Sequence, residues 1–226
     1  MPTHGPGTPV TGHKRWPHGG YQIPALIQQT SAAVSGTTGT ATLGSNVGAG
    51  DGLVLCGQTY SLGAGNDIAS VSGGGLTWFL AAASGFAGTT GFADIWYGFN
   101  STGGAGTTAI TITYSGTGAA GSSAVIVSEW SHLLSLDAAG WAYGSGTSIT
   151  TPSETPNQAA ELVVVMCNVG NGGVSAPSVG YTAFAAAGGY FGAAYQINTT
   201  PGTPTACTWT CTPAAVVAAI ATFTHP

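Results

Sequence analysis

Between Thr107 and Trp130 the chain reads TTAITITYSGTGAAGSSAVIVSEW. Ile110, Ile112 and Tyr114 alternate with Thr111 and Thr113, the period-two pattern of a half-buried strand. A turn of small residues follows. The next run, AVIV at Ala124–Val127, is apolar at consecutive positions, as a strand covered on both faces must be. The chain closes on a second version of the pattern, TACTWTC, then TPAA, then VVAAIATF ending at Phe223. Both versions read as hairpins. Short runs of this kind, separated by Gly, Ser and Pro and free of any long helical period, specify packed antiparallel sheets.

The unit around each hairpin also occurs twice. TATL, GLVLCG, LTWFLAAASG, FADIWYGFN, TAITITYSG and AVIVSEW are answered in order by SIT, ELVVVMC, YTAFAAAGG, FGAAYQIN, TACTWTC and VVAAIATF. Leu53 aligns with Leu162, Phe79 with Phe184, Tyr97 with Tyr195 and Asn100 with Asn198. This order points to duplication of a strand unit. SHLLSLDAAGWAYGSG links the copies and reads as a loop with a helical turn or one short strand. The expected fold is all-β: a two-layer antiparallel β-sandwich, jelly-roll-like, over residues 25–226, with an extended N-terminal arm at 1–24.

Charge narrows the function. Only 4% of residues are charged, where about 25% is usual. Disorder is excluded by the regular apolar runs and the 9% aromatic content. Both cations, Lys14 and Arg15, lie in the arm, and all seven acids lie between Asp51 and Glu161. A body without Lys or Arg cannot grip a phosphate backbone or an anionic membrane, so neither nucleic acid nor membrane is an expected partner. No apolar run approaches the roughly 20 residues of a spanning helix. The N-terminal residues carry no apolar signal core. Cys56, Cys167, Cys207 and Cys211 fall in apolar strands and read as buried reduced thiols, with Cys56 and Cys167 as the expected neighbours.

No catalytic set emerges. Glu129, His132 and Asp137 lie close in sequence but lack a nucleophile within evident reach. Asp94 and Glu129 are the one carboxyl pair on neighbouring strands that glycoside hydrolysis would need. Asp51 and Asp67 lie in Gly-rich turns without the clustered carboxylates of a calcium loop. His4, His13 and His18 sit in an arm with no fixed ligand geometry. The expectation is a non-enzyme without metal or cofactor. Tyr60, Trp141 and Tyr143 read as loop aromatics able to stack on sugar rings, the basis for an alternative glycan-binding role. In the arm, Lys14, Arg15, Trp16 and Tyr21 lie within eight residues. They combine charge, aromatic anchors and Pro-stiffened backbone, the residue types of a partner-binding segment.

At GDGLVL, GGLTWFL, FADIWYGFN, TAITITYSG, AVIVSEW and TPSETPNQAAELVVV the chain resembles a Gly-rich β-sandwich module of tailed-phage virions. That module occurs as minor tail or capsid decoration subunits, and also in secreted bacterial surface proteins. The resemblance spans about Thr38 to Phe223. It implies an accessory structural protein of the virion, assembled in the host cytoplasm, with other capsid or tail subunits and copies of itself as partners. The alternative it leaves is an adhesion module that binds host surface glycans.

Overall fold

The computed structural model describes residues 22–59, 67–85, 91–100, 108–115, 123–170, 172–185 and 190–226. The expected arm residues Lys14, Arg15, Trp16 and Tyr21, and also Tyr60, lie outside that set. The described residues form strands and no helix, and every strand pair is antiparallel.

In the first half the strands are β1 (Leu26–Val34), β2 (Thr38–Thr42), β3 (Gly52–Thr59), β4 (Ile68–Gly73), β5 (Phe79–Gly85), β6 (Phe92–Phe99), β7 (Ala109–Tyr114) and β8 (Ser123–Trp130). In the second they are β9 (Ser135–Thr150), β10 (Glu161–Val169), β11 (Val174–Pro177), β12 (Thr182–Ala183), β13 (Phe191–Asn198) and β14 (Thr208–Thr224). One sheet has the order β1-β8-β3-β6-β5, and a second runs β9-β14-β10-β13-β12 with β11 also on β14. β2-β7-β4 form a third. The two large sheets face each other, as a sandwich requires, and the small sheet adds a layer outside the first.

Sequence explains the layering. β3, β8 and β10 are buried at every position because each has a sheet partner on both faces. β7 buries only alternate residues, so it forms an outer layer. Ile110 and Ile112 join Leu53, Leu55, Val125 and Val127 in one outer core. The central core lies between the large sheets and holds Val54, Trp130, Leu162, Val164, Met166 and Phe223. A third core lies outside the second large sheet, where Trp209 and Cys211 cover Val163, Val165 and Cys167.

The two hairpins expected from sequence are not hairpins. β7 pairs with β2 and β4, whereas β8 pairs with β1 and β3. The chain crosses there from the outer sheet to the inner one. In the second half one strand, β14, makes the same crossing. Its first residues pair with the end of β9 and with β11, and Val216–Phe223 pair with β10. The register slips between Thr210 and Ala214. Pro213 lies in that slip, a place in a sheet where its missing N–H breaks no ladder bond. TPAA is therefore the bend of a sheet-switching strand.

Duplication is visible in the pairing. Val54 lies between Tyr97 and Ser128, and Val164 lies between Tyr195 and Ala221. Two residues past those partners come Trp130 and Phe223, which pack edge-on against the opposite half's tyrosine. Their ring centroids are 4.7 Å apart for Trp130–Tyr195 and 5.7 Å for Tyr97–Phe223. The register corrects two alignments: Leu53 corresponds to Val163, not Leu162, and Phe79 to Thr182, not Phe184. Leu53 faces an outer core, while Leu162 faces the central one. Cys56 and Cys167 are likewise separated by a sheet, since Cys56 belongs to the central core and Cys167 to the core around Trp209.

Candidate functional site

Six of the seven acids are drawn into three carboxyl pairs. Asp51 sits just before β3, opposite Asn100, which donates its N–H to the Asp51 carbonyl at 2.8 Å. The Asp51 carboxyl hydrogen-bonds Glu129 and accepts the backbone N–H of His132, itself held at a φ of 59°. Burial, followed by the Glu129 charge, raises the Asp51 pKa. Glu129 is 1% exposed. It accepts from the Gly48 N–H at 2.8 Å and from Gln28 Nε2. A carboxylate thus pins the loop 44–50 to β1 and β8.

The second half repeats the device. Glu161 opens β10 opposite Asn198. It accepts the Gln158 N–H at 2.8 Å, while Asp137 on β9 accepts from Asn157 N–H and Nδ2. Burial, then the Asp137 charge, raises the Glu161 pKa. Glu161 Oε2 is buried without a hydrogen-bond partner. The third pair lies at the other end of the first sheet. Asp94 Oδ2 accepts the Ile68 N–H at 2.9 Å, and Asp67 accepts from Ser115 Oγ. Burial, aided by the Asp67 charge, pushes the Asp94 pKa up to about 7. Asp94 Oδ1 and Tyr114 Oη are both buried without a hydrogen-bond partner.

This geometry separates the sequence candidates. Asp94 pairs with Gly57 on β3, and Glu129 pairs with Leu53, four residues along the same strand. They are about 16 Å apart from a rise of about 3.3 Å per residue and two strand spacings of about 4.8 Å. Glycoside hydrolysis needs roughly 5–9.5 Å. Glu129 and Asp137 belong to different pairs, and His132 contributes its backbone to Asp51. Asp51, Phe99, Asn100 and Leu133 line a cleft of about 270 Å³. Val174, Phe184, Phe191 and Trp209 line another of about 280 Å³. Among the described residues no group of three His, Cys, Asp or Glu side chains is placed to hold a metal ion.

Trp141 and Tyr143 are not in a loop. They lie two residues apart on one face of β9, each 51% exposed. Sequence alternation was hidden there because Ala, Gly and Ser fill the positions between. Their neighbours on that face are Ala139 and Ser145 on β9, with Ala219 and Val217 across the pairing. None of these offers an amide or carboxylate to a sugar hydroxyl. The pairing of the acids was also missed. Its signal in the sequence is the absence of Lys and Arg from the body, which leaves buried carboxyls only N–H donors, hydroxyls and each other.

No protein-family model, curated protein or solved structure matches this chain.

Proposed function

We propose that the chain is a non-enzymatic accessory structural protein of a tailed-phage virion, a minor tail or head decoration subunit. The observation that carries the reading is the use of the acids. Asp51, Asp67, Asp94, Glu129, Asp137 and Glu161 hold loops to strands through backbone or side-chain hydrogen bonds. A body stiffened this way, with no exposed Lys or Arg, changes little with salt, as a particle surface requires. Attachment then falls to the arm, where Lys14, Arg15, Trp16 and Tyr21 supply hot-spot residue types. The phage assignment comes from the resemblance of the strand motifs, and the host cytoplasm is the corresponding place of assembly.

The test is incorporation. Particles assembled with a chain lacking residues 1–21 should be depleted of the protein, while the melting temperature of the truncated body stays near that of the full chain. Full occupancy by the truncated chain would refute attachment through the arm. Absence of the full chain from purified particles would refute the virion role itself.

A further inference from the structure

β9 is an edge strand. Among the described residues nothing pairs with the side of it that faces away from β14. Its uninterrupted register with β14 covers nine residues, Ala138–Gly146, with slips on either side. That run reads AAGWAYGSG, and Ala142 is its midpoint. About the midpoint the run is close to a palindrome in side-chain size. Trp141 answers Tyr143, Gly140 answers Gly144, and Ala139 answers Ser145.

We infer that this run is a self-pairing edge: two copies of the chain join β9 to β9, antiparallel, about a two-fold axis through Ala142. A two-fold axis perpendicular to the sheet places residues equidistant from the midpoint opposite each other and on the same face. Trp141 then lies directly across from the partner's Tyr143, and Tyr143 across from the partner's Trp141. The glycines meet glycines and the small residues meet small ones. Directly opposed aromatic pairs are among the favourable cross-strand combinations.

Three features select a second copy over another occupant. The run carries no charge, no Lys and no Pro, the usual guards of an exposed edge. The corresponding edge of the other half is guarded: β1 has a register slip between Leu26 and Gln28, and the Gln28 side chain is bound to the Ser45 carbonyl at 3.0 Å. Area points the same way. Half-exposed Trp and Tyr rings have about 100 Å² each left to bury, so four supply roughly 400 Å² of the roughly 1,200 Å² at the low end of stable interfaces. The nine paired backbone positions on each side add to this, giving a micromolar dimer that a particle lattice would reinforce. The inference stands or falls in solution, whatever the chain's role on a virion.

Sedimentation of the full chain should show a monomer–dimer equilibrium in the micromolar range. Tyr143→Lys and Trp141→Lys should each weaken it by at least about tenfold, because two buried ammonium groups then meet the facing edge. Ala142→Cys gives a register test on an otherwise unchanged chain. Directly opposed Cα atoms lie about 4.5–5.5 Å apart, inside the disulfide range. Mild oxidation should therefore yield a reducible dimer. Ala138→Cys should not, because its two copies would sit about 27 Å apart. A chain that stays monomeric into the submillimolar range overturns the inference. So does a dimer indifferent to both lysine substitutions, or equal cross-linking of the two cysteine variants. A monomer whose Trp141 fluorescence is quenched saturably by chitohexaose would make the surface a glycan platform instead.

Discussion

Replacing Asp94 with asparagine should stabilise the protein at neutral and higher pH. The unfolded chain's aspartate titrates near 3.8, whereas burial holds Asp94 near 7 in the fold. Between those values the folded protein keeps a proton that the unfolded chain has released. The stability tied to this proton is full below about pH 4, is lost as pH rises toward about 7, and changes no further above that. A shift of about 3 units corresponds to at most about 4 kcal/mol. The groups facing Asp94 are the Ile68 N–H, which favours the charged form, and the Asp67 charge, which opposes it. Tyr114, its own pKa raised by burial and then by the Asp94 charge, faces it from β7. Asp94→Asn keeps an oxygen for Ile68 and adds an amide donor on the side of the unpartnered Oδ1. At about pH 8 the variant should melt roughly 5–15 °C above wild type, at about 2–4 °C per kcal/mol for a chain of this size. At about pH 4 the two should melt within a few degrees of each other. Calorimetry at the two pH values reads this directly. A variant that melts lower than wild type at the higher pH would show that Asp94 is ionised and satisfied in the fold, and the reasoning would fail.

Three further outcomes follow from packing. Trp130→Ala removes a side chain that is 1% exposed and touches Phe184 and Tyr195, and chemical denaturation should show a loss of about 3–5 kcal/mol. Gly73→Ala should destabilise by about 1–3 kcal/mol, since Gly73 has a φ of 99° and an added methyl would run into the Ala109 carbonyl. The four cysteines are unbonded and buried, and burial raises each thiol's pKa. A thiol reagent should therefore react only on unfolding, and a reductant should leave the melting curve unmoved.

The β-branched runs were legible because their chemistry leaves one option. GLVLCG, AVIV and ELVVV are apolar on both faces, and only an inner strand buries both. The Ile–Thr alternation of β7 showed a strand with one wet face, but not which sheet it joins. That choice is made by pairing at long range, with β2 and β4, and no local pattern records it. The hairpin expectation failed for the same reason, since a sheet-switching strand and a hairpin share the sequence of two runs and a small-residue break. β9 was hidden by its small residues, and β4 and β11 by their short, half-polar runs. Nearness in sequence sets Glu129 beside Asp137, neighbouring strands set Asp94 beside Glu129, and neither is a true pair. The pairing of the acids appears only when Asp51 meets Glu129 and Asp137 meets Glu161 across strands that the sequence could order but not set in register.

The role proposed for the protein is that of a stiff structural subunit held on a virion by the residues before Ile23. Cryo-electron microscopy of tailed particles made with the full chain tests it most directly. The account predicts layered β density of this three-sheet fold at symmetry-related positions of the head or tail, each connected to a neighbouring subunit through the segment preceding Ile23. Particles with no such density, although the protein is present in the host that made them, would contradict it.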